Sequence, residues 1–117
     1  MFAVCISEVV LDLPRDRAAD VLANQLLRAS TSIAANIAEG YGRYSQAAYR
    51  NHLSIARGSA FEVESWLDLL IRRKYLTREA GEALIDSCVE LQKLITLRMK
   101  SLSAGQTYAK KTPEEHS

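Results

Sequence analysis

The sequence contains few of the residues that interrupt helices, since its 117 residues include only two prolines and five glycines. Both prolines, Pro14 and Pro113, lie outside the segments with helical periodicity, and this scarcity favours an all-α protein. No apolar run approaches the roughly 20 residues that a membrane-spanning helix needs. The apolar N-terminal segment, residues 1–14, has no basic leader and carries Glu8 and Asp12. We therefore predict a helix there and not a signal peptide.

The net charge is also small, and the sequence contains only two cysteines and two histidines. A net charge of +1 argues against the strongly basic surface of many nucleic-acid-binding domains, although charge can still be segregated on one face. Cys5 and Cys88 occupy apolar helix positions and have two interpretations: free buried thiols in a reducing cytoplasm, or a pair held at similar heights by a helical bundle. With only His52 and His116 beside them, they make no credible zinc site. We expect no metal and no cofactor.

What the sequence does contain is the apolar periodicity of four helices. We predict them over residues 2–12, 17–39, 46–74 and from Thr77 to about 103. Asp16, Ser45 and Thr77 are the expected N-caps, and Gly40 is expected to close the second helix as its C′ residue. Three long helices joined by short loops must run antiparallel. The sequence thus predicts an antiparallel up-down four-helix bundle with a short first helix over residues 1–104, followed by a disordered tail over 105–117.

The second and third helices are rich in small residues where they face each other. Small side chains allow close helix packing, which we predict at Ala29, Ala56, Gly58 and Ser59. Glycine inside a helix costs about 1 kcal/mol relative to alanine, so Gly58 is expected to have a packing reason. The short first helix covers only about residues 18–27 of the second. Residues 28–39 are then covered by another subunit, by a different partner or by a longer natural N-terminus. We favour another subunit, because monomers rarely leave such an apolar groove exposed.

One stripe of the second helix is polar, and the third helix offers polar residues beside it. This set consists of Gln25, Arg28, Ser32, Asn36, Glu39, Arg57, Glu62 and Glu64. It is either a site for a ligand or a nucleic-acid backbone, or a network of hydrogen bonds and ion pairs that fixes the register between helices or subunits. We favour the network.

The patterns of common catalytic sites are missing. Glu62 and Glu64 are two positions apart and point about 200° apart on a helix, so they cannot share a proton. The chain has no Glu-x-x-His pair for a di-iron bundle, and His52 has neither a nucleophile nor a carboxylate at helical spacing. The loop GYGRY lacks the preceding strand and the Lys-Ser/Thr of a phosphate loop. We expect no enzyme.

Basic residues form two groups, one after the third helix and one towards the C-terminus. The candidate nucleic-acid contacts are Arg43, Arg72, Arg73, Lys74, Arg98 and Lys100. Solvated helix ends are the favoured interpretation on a single chain, but oligomerisation would repeat a weak basic patch and make phosphate contacts multivalent. Tyr41, Tyr44 and Tyr49 near Arg43 either stack bases or, as we favour, pack the loop onto the bundle.

The run QLLRASTSIAANIAEGYGR over residues 25–43, followed by Tyr49 and by IARGSAFEVES over residues 55–65, is long and specific. It resembles the four-helix-bundle family named for proteins encoded in intervening sequences of bacterial 23S rRNA genes. The resemblance covers roughly residues 14–100. It implies a ring-like homopentamer and kinship with the accessory variability proteins of diversity-generating retroelements, which bind nucleic acid and a reverse transcriptase.

The sequence and the resemblance together predict a cytoplasmic, non-enzymatic, oligomeric helical scaffold. Its expected partners are further copies of itself and RNA or DNA, most simply RNA or a ribonucleoprotein, and no membrane. The alternative is a protein-interaction accessory module, for example the partner of a retroelement reverse transcriptase, that never touches nucleic acid.

Overall fold

Four α-helices and no strand make up the residues that the computed structural model describes, 2–43 and 45–109. The helices are α1 (Phe2–Leu11), α2 (Arg17–Tyr41), α3 (Gln46–Arg72) and α4 (Arg78–Ala109). The all-α prediction is confirmed. The molecule is elongated, with principal dimensions of 56 × 20 × 18 Å. Within the described ranges, no helix combines the length and the apolar character that crossing a membrane would require.

The three predicted N-caps are confirmed. The side-chain oxygens of Asp16, Ser45 and Thr77 each accept a hydrogen bond from the backbone N–H three residues on, at 2.8, 3.0 and 3.2 Å. Each side chain thus satisfies one of the N–H groups that have no partner within the helix. These caps explain why α2, α3 and α4 begin where they do.

The predicted ends of the helices are less accurate. α2 continues through Gly40 to Tyr41 and is capped by Gly42, so the prediction of Gly40 as the C′ residue is wrong. α3 ends at Arg72, two residues earlier than predicted. α4 continues to Ala109 and includes the first residues of the predicted disordered tail. The remainder of that tail, residues 110–117, lies outside the described residues.

α3 ends in a Schellman motif with lysine at the position that glycine usually occupies. The backbone N–H of Lys74 donates to the carbonyl of Ile71 at 2.9 Å, and that of Tyr75 donates to Leu70 at 3.0 Å. These two bonds require a left-handed residue at C′, and Lys74 has a φ of 62°. A side chain in this conformation costs about 1 kcal/mol or more.

Polar contacts between the helices show that α3 runs antiparallel to both α2 and α4. Along α2 and α3, Arg28 contacts Glu62 whereas Asn36 contacts His52. Along α3 and α4, Arg57 contacts Thr96 whereas Glu64 contacts Gln92. α3 lies between its two partners, and α1 packs against α2 and α4. The core is formed by buried apolar residues from all four helices and the α1–α2 loop: Ile6, Leu13, Leu26, Ala29, Ile33, Leu53, Ala56, Ala60, Val63, Leu67, Leu70, Cys88, Ile95, Met99 and Leu102.

Helix α1 is short, so it reaches only part of the way along its two partners. The C-terminal end of α1 meets Ala19 and Ala23 of α2, and its N-terminal end, at Phe2, meets α4 near Leu91. Leu94 of α4 lies beside Phe2 and is 55% accessible, and Leu97, about one turn further along α4, is 61% accessible. The outer side of α2 exposes the small residues Thr31, Ala34, Ala35 and Ala38 there, next to the exposed Glu39.

Candidate functional site

A chain of hydrogen bonds joins α2 to α3 near the middle of the molecule. The Ser32 and Ser59 hydroxyls share a hydrogen bond of 2.9 Å, and the Asn36 amide donates to the carbonyl and the hydroxyl of Ser32 at 2.9 and 3.1 Å. The Asn36 side-chain oxygen in turn accepts a bond of 3.2 Å from Nδ1 of His52. These side chains are half-buried or buried, so their bonds specify one register between the two helices. His52 is an addition to the polar set predicted from the sequence.

The other α2 members of the predicted polar set, Gln25, Arg28 and Glu39, are half-exposed or exposed. The Arg28 guanidinium donates to Gln25 at 2.9 Å and forms a salt bridge of 3.1 Å with Glu62, and both charged side chains are about half exposed. Glu39 pairs with Arg43 at 2.8 Å, one turn away. Exposed pairs of this kind contribute only about 0–1 kcal/mol. They add charge pairing along α2 but little stability.

Arg57 and Glu64 do not join the α2–α3 network, because they lie on the flank of α3 that faces α4. Arg57 donates to the Thr96 hydroxyl at 3.2 Å, and the Glu64 carboxylate accepts from the Gln92 amide at 2.8 Å. The predicted polar set is therefore split between two seams of α3. Gln92 is only 8% exposed. In the sequence, a polar residue inside the apolar stripe of α4 was the one indication that it belongs to a buried polar contact.

Cys88 lies one turn before Gln92 and is completely buried. Its thiol donates to the carbonyl of Ala60 at 3.1 Å. Burial raises the pKa of the Cys88 thiol from its ordinary value to about 11, because the thiolate would be poorly solvated there. Cys5 is exposed, and both cysteines are free. The prediction of free, buried thiols is thus correct for Cys88, whereas Cys5 is free but not buried.

Three of the four predicted close-packing residues, Ala29, Ala56 and Ser59, are buried in the structure. The prediction for Gly58 is wrong: it is exposed on the outer side of α3, and a Cβ there would meet nothing within 4 Å. The close approach is at Gly40, where a Cβ would lie 2.6 Å from Cβ of His52 and 2.9 Å from the ring of Tyr49. Glycine at position 40 therefore allows the end of α2 to reach α3.

The six candidate nucleic-acid contacts do not form one surface on a single chain. Arg43 precedes α3 and Lys74 follows it, and the 27 residues of α3 separate them by about 40 Å. Arg72 is already paired with Asp68 at 2.8 Å. Arg98 lies near the beginning of α3, with its guanidinium carbon 5.6 Å from the ring centre of Tyr49. The predicted contacts thus occupy opposite ends of the molecule.

Charge is divided along the length of the molecule. Ser32, Ser59 and Gln92 lie at one level, since Ser32 bonds Ser59 and Gln92 reaches Ala60. On one side of this level, residues 31–43, 45–60 and 91–103 form a basic half, with Glu39 as the one carboxylate among them against six cations: Arg43, Arg50, Arg57, Lys93, Arg98 and Lys100. On the other side, residues 2–30 and 61–90 form an acidic half with eleven carboxylates and seven cations. The formal charges are +5 and −4.

Four cations of the basic half line the seam between α3 and α4. The bond from Arg57 to Thr96 fixes the register there. Arg50 lies two turns before Arg57 on the same flank of α3, and Lys93 and Lys100 lie about one turn on either side of Thr96. We refer to Arg50, Arg57, Lys93 and Lys100 as the basic seam. Arg50 and Lys93 are not recognisable from the sequence as part of this group, because their proximity depends on how α3 and α4 are paired.

The described part of the chain brings together no group of three or more His, Cys, Asp or Glu side chains that could hold a metal ion. The polar groups are distributed along two helix seams. This arrangement offers hydrogen bonds that fix register, and a row of basic side chains along the seam between α3 and α4.

Comparison with known proteins agrees with this architecture. The model of a family described as 23S rRNA-intervening sequence protein matches residues 1–97. A crystal structure at 1.70 Å of a protein of unknown function, from the S23 ribosomal protein family of Bacteroides thetaiotaomicron VPI-5482, is 40% identical in sequence. The match covers 85% of this chain and 92% of that chain, with a TM-score of 0.80. A comparison with curated proteins finds no match. The chain therefore belongs to the 23S rRNA-intervening sequence protein family.

Proposed function

We propose that this protein is a non-enzymatic, oligomeric helical scaffold that binds RNA through its basic half. The observation that carries the proposal is the separation of charge into +5 and −4 on the two sides of the level of Ser32, Ser59 and Gln92. Although the chain is nearly neutral overall, its basic half strongly attracts a polyanion. The family name, which refers to an intervening sequence of 23S rRNA, supports RNA as that polyanion.

The basic seam is the proposed phosphate-contacting surface. Arg50, Lys93 and Lys100 are exposed and form no ion pair with another described residue, so their charges are available to a ligand. Arg43 and Arg98 flank the same half. We leave Arg72, Arg73 and Lys74 out of the surface because they lie in the acidic half.

The proposed architecture is an up-down four-helix bundle assembled as a ring-like homopentamer. The antiparallel pairing of α3 with α2 and α4 supports the bundle topology. Leu94 and Leu97 support association, because these apolar side chains of α4 are more than half exposed on the single chain. Sedimentation equilibrium tests this part: five copies per particle are expected, and a monomer at high concentration would refute it.

Two matched triple variants test RNA binding. Arg50→Gln, Lys93→Gln and Lys100→Gln remove three charges from the basic half, whereas Arg72→Gln, Arg73→Gln and Lys74→Gln remove three from the acidic half. Fluorescence anisotropy with a labelled RNA hairpin is measured from 0.05 to 0.3 M salt. Affinity falls with salt, and each lost phosphate contact makes the slope of log affinity against log salt shallower by about 0.7–0.9. We expect the slope of the first triple variant to be shallower by about 2 and that of the control to be unchanged.

Three outcomes would overturn the RNA-binding proposal: no binding by the unaltered protein at micromolar concentration, affinity that does not depend on salt, or equal losses in the two triple variants. Circular dichroism and sedimentation of each variant show that the fold and assembly are retained. A duplex DNA of the same length tests whether RNA is preferred, because phosphate contacts alone do not distinguish the two.

A protein-interaction module is the second candidate. It is favoured by an apolar groove of about 480 Å³ in the acidic half, lined by Ala18, Val21, Leu22 and Leu69 between Arg17 and Arg73. Co-purification from cells with and without nuclease separates the two functions. A partner such as a reverse transcriptase that stays bound after nuclease treatment supports the module.

We also propose that the protein is located in the cytoplasm, where an exposed free thiol such as Cys5 stays reduced.

A further inference from the structure

Three side chains from three helices meet where α2 ends and α3 begins. The rings of Tyr41 and Tyr49 are nearly perpendicular, at 87°, with their centres 5.9 Å apart. The guanidinium of Arg98 lies over the Tyr49 ring at 5.6 Å. Tyr41 is nevertheless 74% exposed, although it is a large aromatic side chain with a fixed neighbour. An edge-to-face contact covers only one part of the Tyr41 ring, so at least one of its faces is open to solvent.

The position of Tyr41 is determined by the helix ends and not by a free loop. Tyr41 is the last residue of α2, and the backbone N–H of Gly42 donates to the carbonyl of Ala38 at 3.3 Å. The preceding Gly40 packs directly against Tyr49 and His52 of α3. Little conformational freedom therefore remains for the ring to lose when a ligand stacks on it, because a tyrosine side chain has only two rotatable angles.

The surroundings of Tyr41 favour a polyanion over an apolar protein partner. The described residues of the basic half carry six cations, and their one carboxylate, Glu39, is already paired with Arg43. An exposed aromatic face in a half of the molecule with six cations and one carboxylate matches a nucleotide, whose base stacks on the ring while its phosphates meet cations of that half. A protein surface that is apolar or basic would leave these charges without partners.

We propose that Tyr41, supported by Tyr49 and Arg98, is a stacking platform for an unpaired base of single-stranded RNA. This inference rests on the proposed RNA binding and specifies the kind of RNA. A base within a duplex already stacks on its neighbours and presents no free face, so the platform discriminates in favour of unpaired segments such as loops and ends. The basic seam supplies affinity for either form of RNA, whereas Tyr41 supplies the preference.

The test compares two probes, a labelled unstructured RNA of 12 nucleotides and a 12-base-pair RNA duplex, by fluorescence anisotropy at 0.05 M salt. Tyr41→Ala is expected to weaken single-strand binding on the order of tenfold and to change duplex binding less than about twofold. Tyr41→Phe keeps the aromatic ring and should bind like the unaltered protein. Tyr41→Leu keeps apolar area without an aromatic face and should behave like Tyr41→Ala. Leu11→Ala changes an equally exposed side chain in the acidic half and should alter neither affinity.

The outcomes separate this inference from the proposed function. If the unaltered protein binds neither probe, both are refuted. If it binds both RNAs and Tyr41→Ala has no effect, or weakens both equally, the platform is refuted while RNA binding stands. A loss in Tyr41→Phe as large as that in Tyr41→Ala would assign the effect to the hydroxyl and would also refute stacking. Far-ultraviolet circular dichroism shows that each variant is folded.

Discussion

The same substitution, glycine to alanine, is expected to have opposite effects on stability at two positions of this protein. Gly40 lies in the last turn of α2 and Gly58 in the middle of α3. Replacing glycine with alanine inside a helix stabilises that helix by about 1 kcal/mol. At Gly58 a Cβ has open space around it, so Gly58→Ala should raise the free energy of unfolding by about this amount.

At Gly40 the new Cβ would lie 2.6 Å from Cβ of His52, about 1 Å short of a normal carbon–carbon contact. That atom is attached directly to the α3 backbone, so the contact is relieved only if the ends of α2 and α3 separate. Overpacking of this kind costs about 1–3 kcal/mol, and a backbone displacement places it near the upper end. After subtracting the helical gain, Gly40→Ala should lower the free energy of unfolding by about 2 kcal/mol.

Urea unfolding followed by circular dichroism measures both effects, at one protein concentration because association also contributes to stability. The midpoints of the two variants should lie on opposite sides of that of the unaltered protein, with similar slopes. A Gly40→Ala variant as stable as the unaltered protein would refute the close approach of α2 and α3. A Gly58→Ala variant that is destabilised would refute the placement of Gly58 at the surface.

Three further results are expected. Lys74→Gly should raise the free energy of unfolding by about 1 kcal/mol, because glycine adopts the left-handed conformation at the end of α3 without strain; Lys74→Ala serves as the control, and an equal gain there would contradict the explanation. Burial raises the pKa of Cys88 to about 11. The unfolded thiol ionises near pH 9 whereas the folded one stays protonated, so the free energy of unfolding is unaffected by Cys88 at pH 8. It falls by about 2 kcal/mol as pH rises towards 11. Urea unfolding at pH 8 and 10.5 should show this loss in the unaltered protein and in Cys5→Ser but not in Cys88→Ala; an equal loss in Cys88→Ala would assign it to other groups. A double-mutant cycle on Arg28 and Glu62 should give a coupling energy below about 1 kcal/mol, since both side chains are about half exposed; a larger value would indicate that association buries the pair.

The sequence is sufficient to predict features that depend on local chemistry. The apolar periodicity predicts four helices, and the N-caps Asp16, Ser45 and Thr77 are recognisable because serine, threonine and aspartate satisfy free N–H groups at helix starts. The ends of the helices are harder to predict. Glycine usually marks the end of a helix, but α2 continues through Gly40, where the missing side chain allows α3 to pack closely. Conversely, α3 ends at a left-handed lysine, Lys74, and not at a glycine.

Periodicity in one sequence does not predict how each helix is rotated about its axis or which helices pack together. Gly58 and Ser59 are neighbours in sequence, yet one is exposed and the other is buried against α2, because adjacent residues point about 100° apart on a helix. Arg57 and Glu64 likewise belong to the α4 side of α3. The net charge of +1 conceals the two charged halves, which become visible only when residues 31–60 are placed beside residues 91–103.

The division of charge also gives each copy of the chain a large electric dipole along its long axis. A closed ring relates its copies by rotation, so rods standing parallel to the axis would all point the same way. One rim of such a ring would gather every positive end, and neighbouring copies would repel one another at both rims. Added salt would weaken this repulsion while leaving apolar contacts intact. Assembly should therefore tighten as ionic strength rises, under the same conditions that release a bound polyanion.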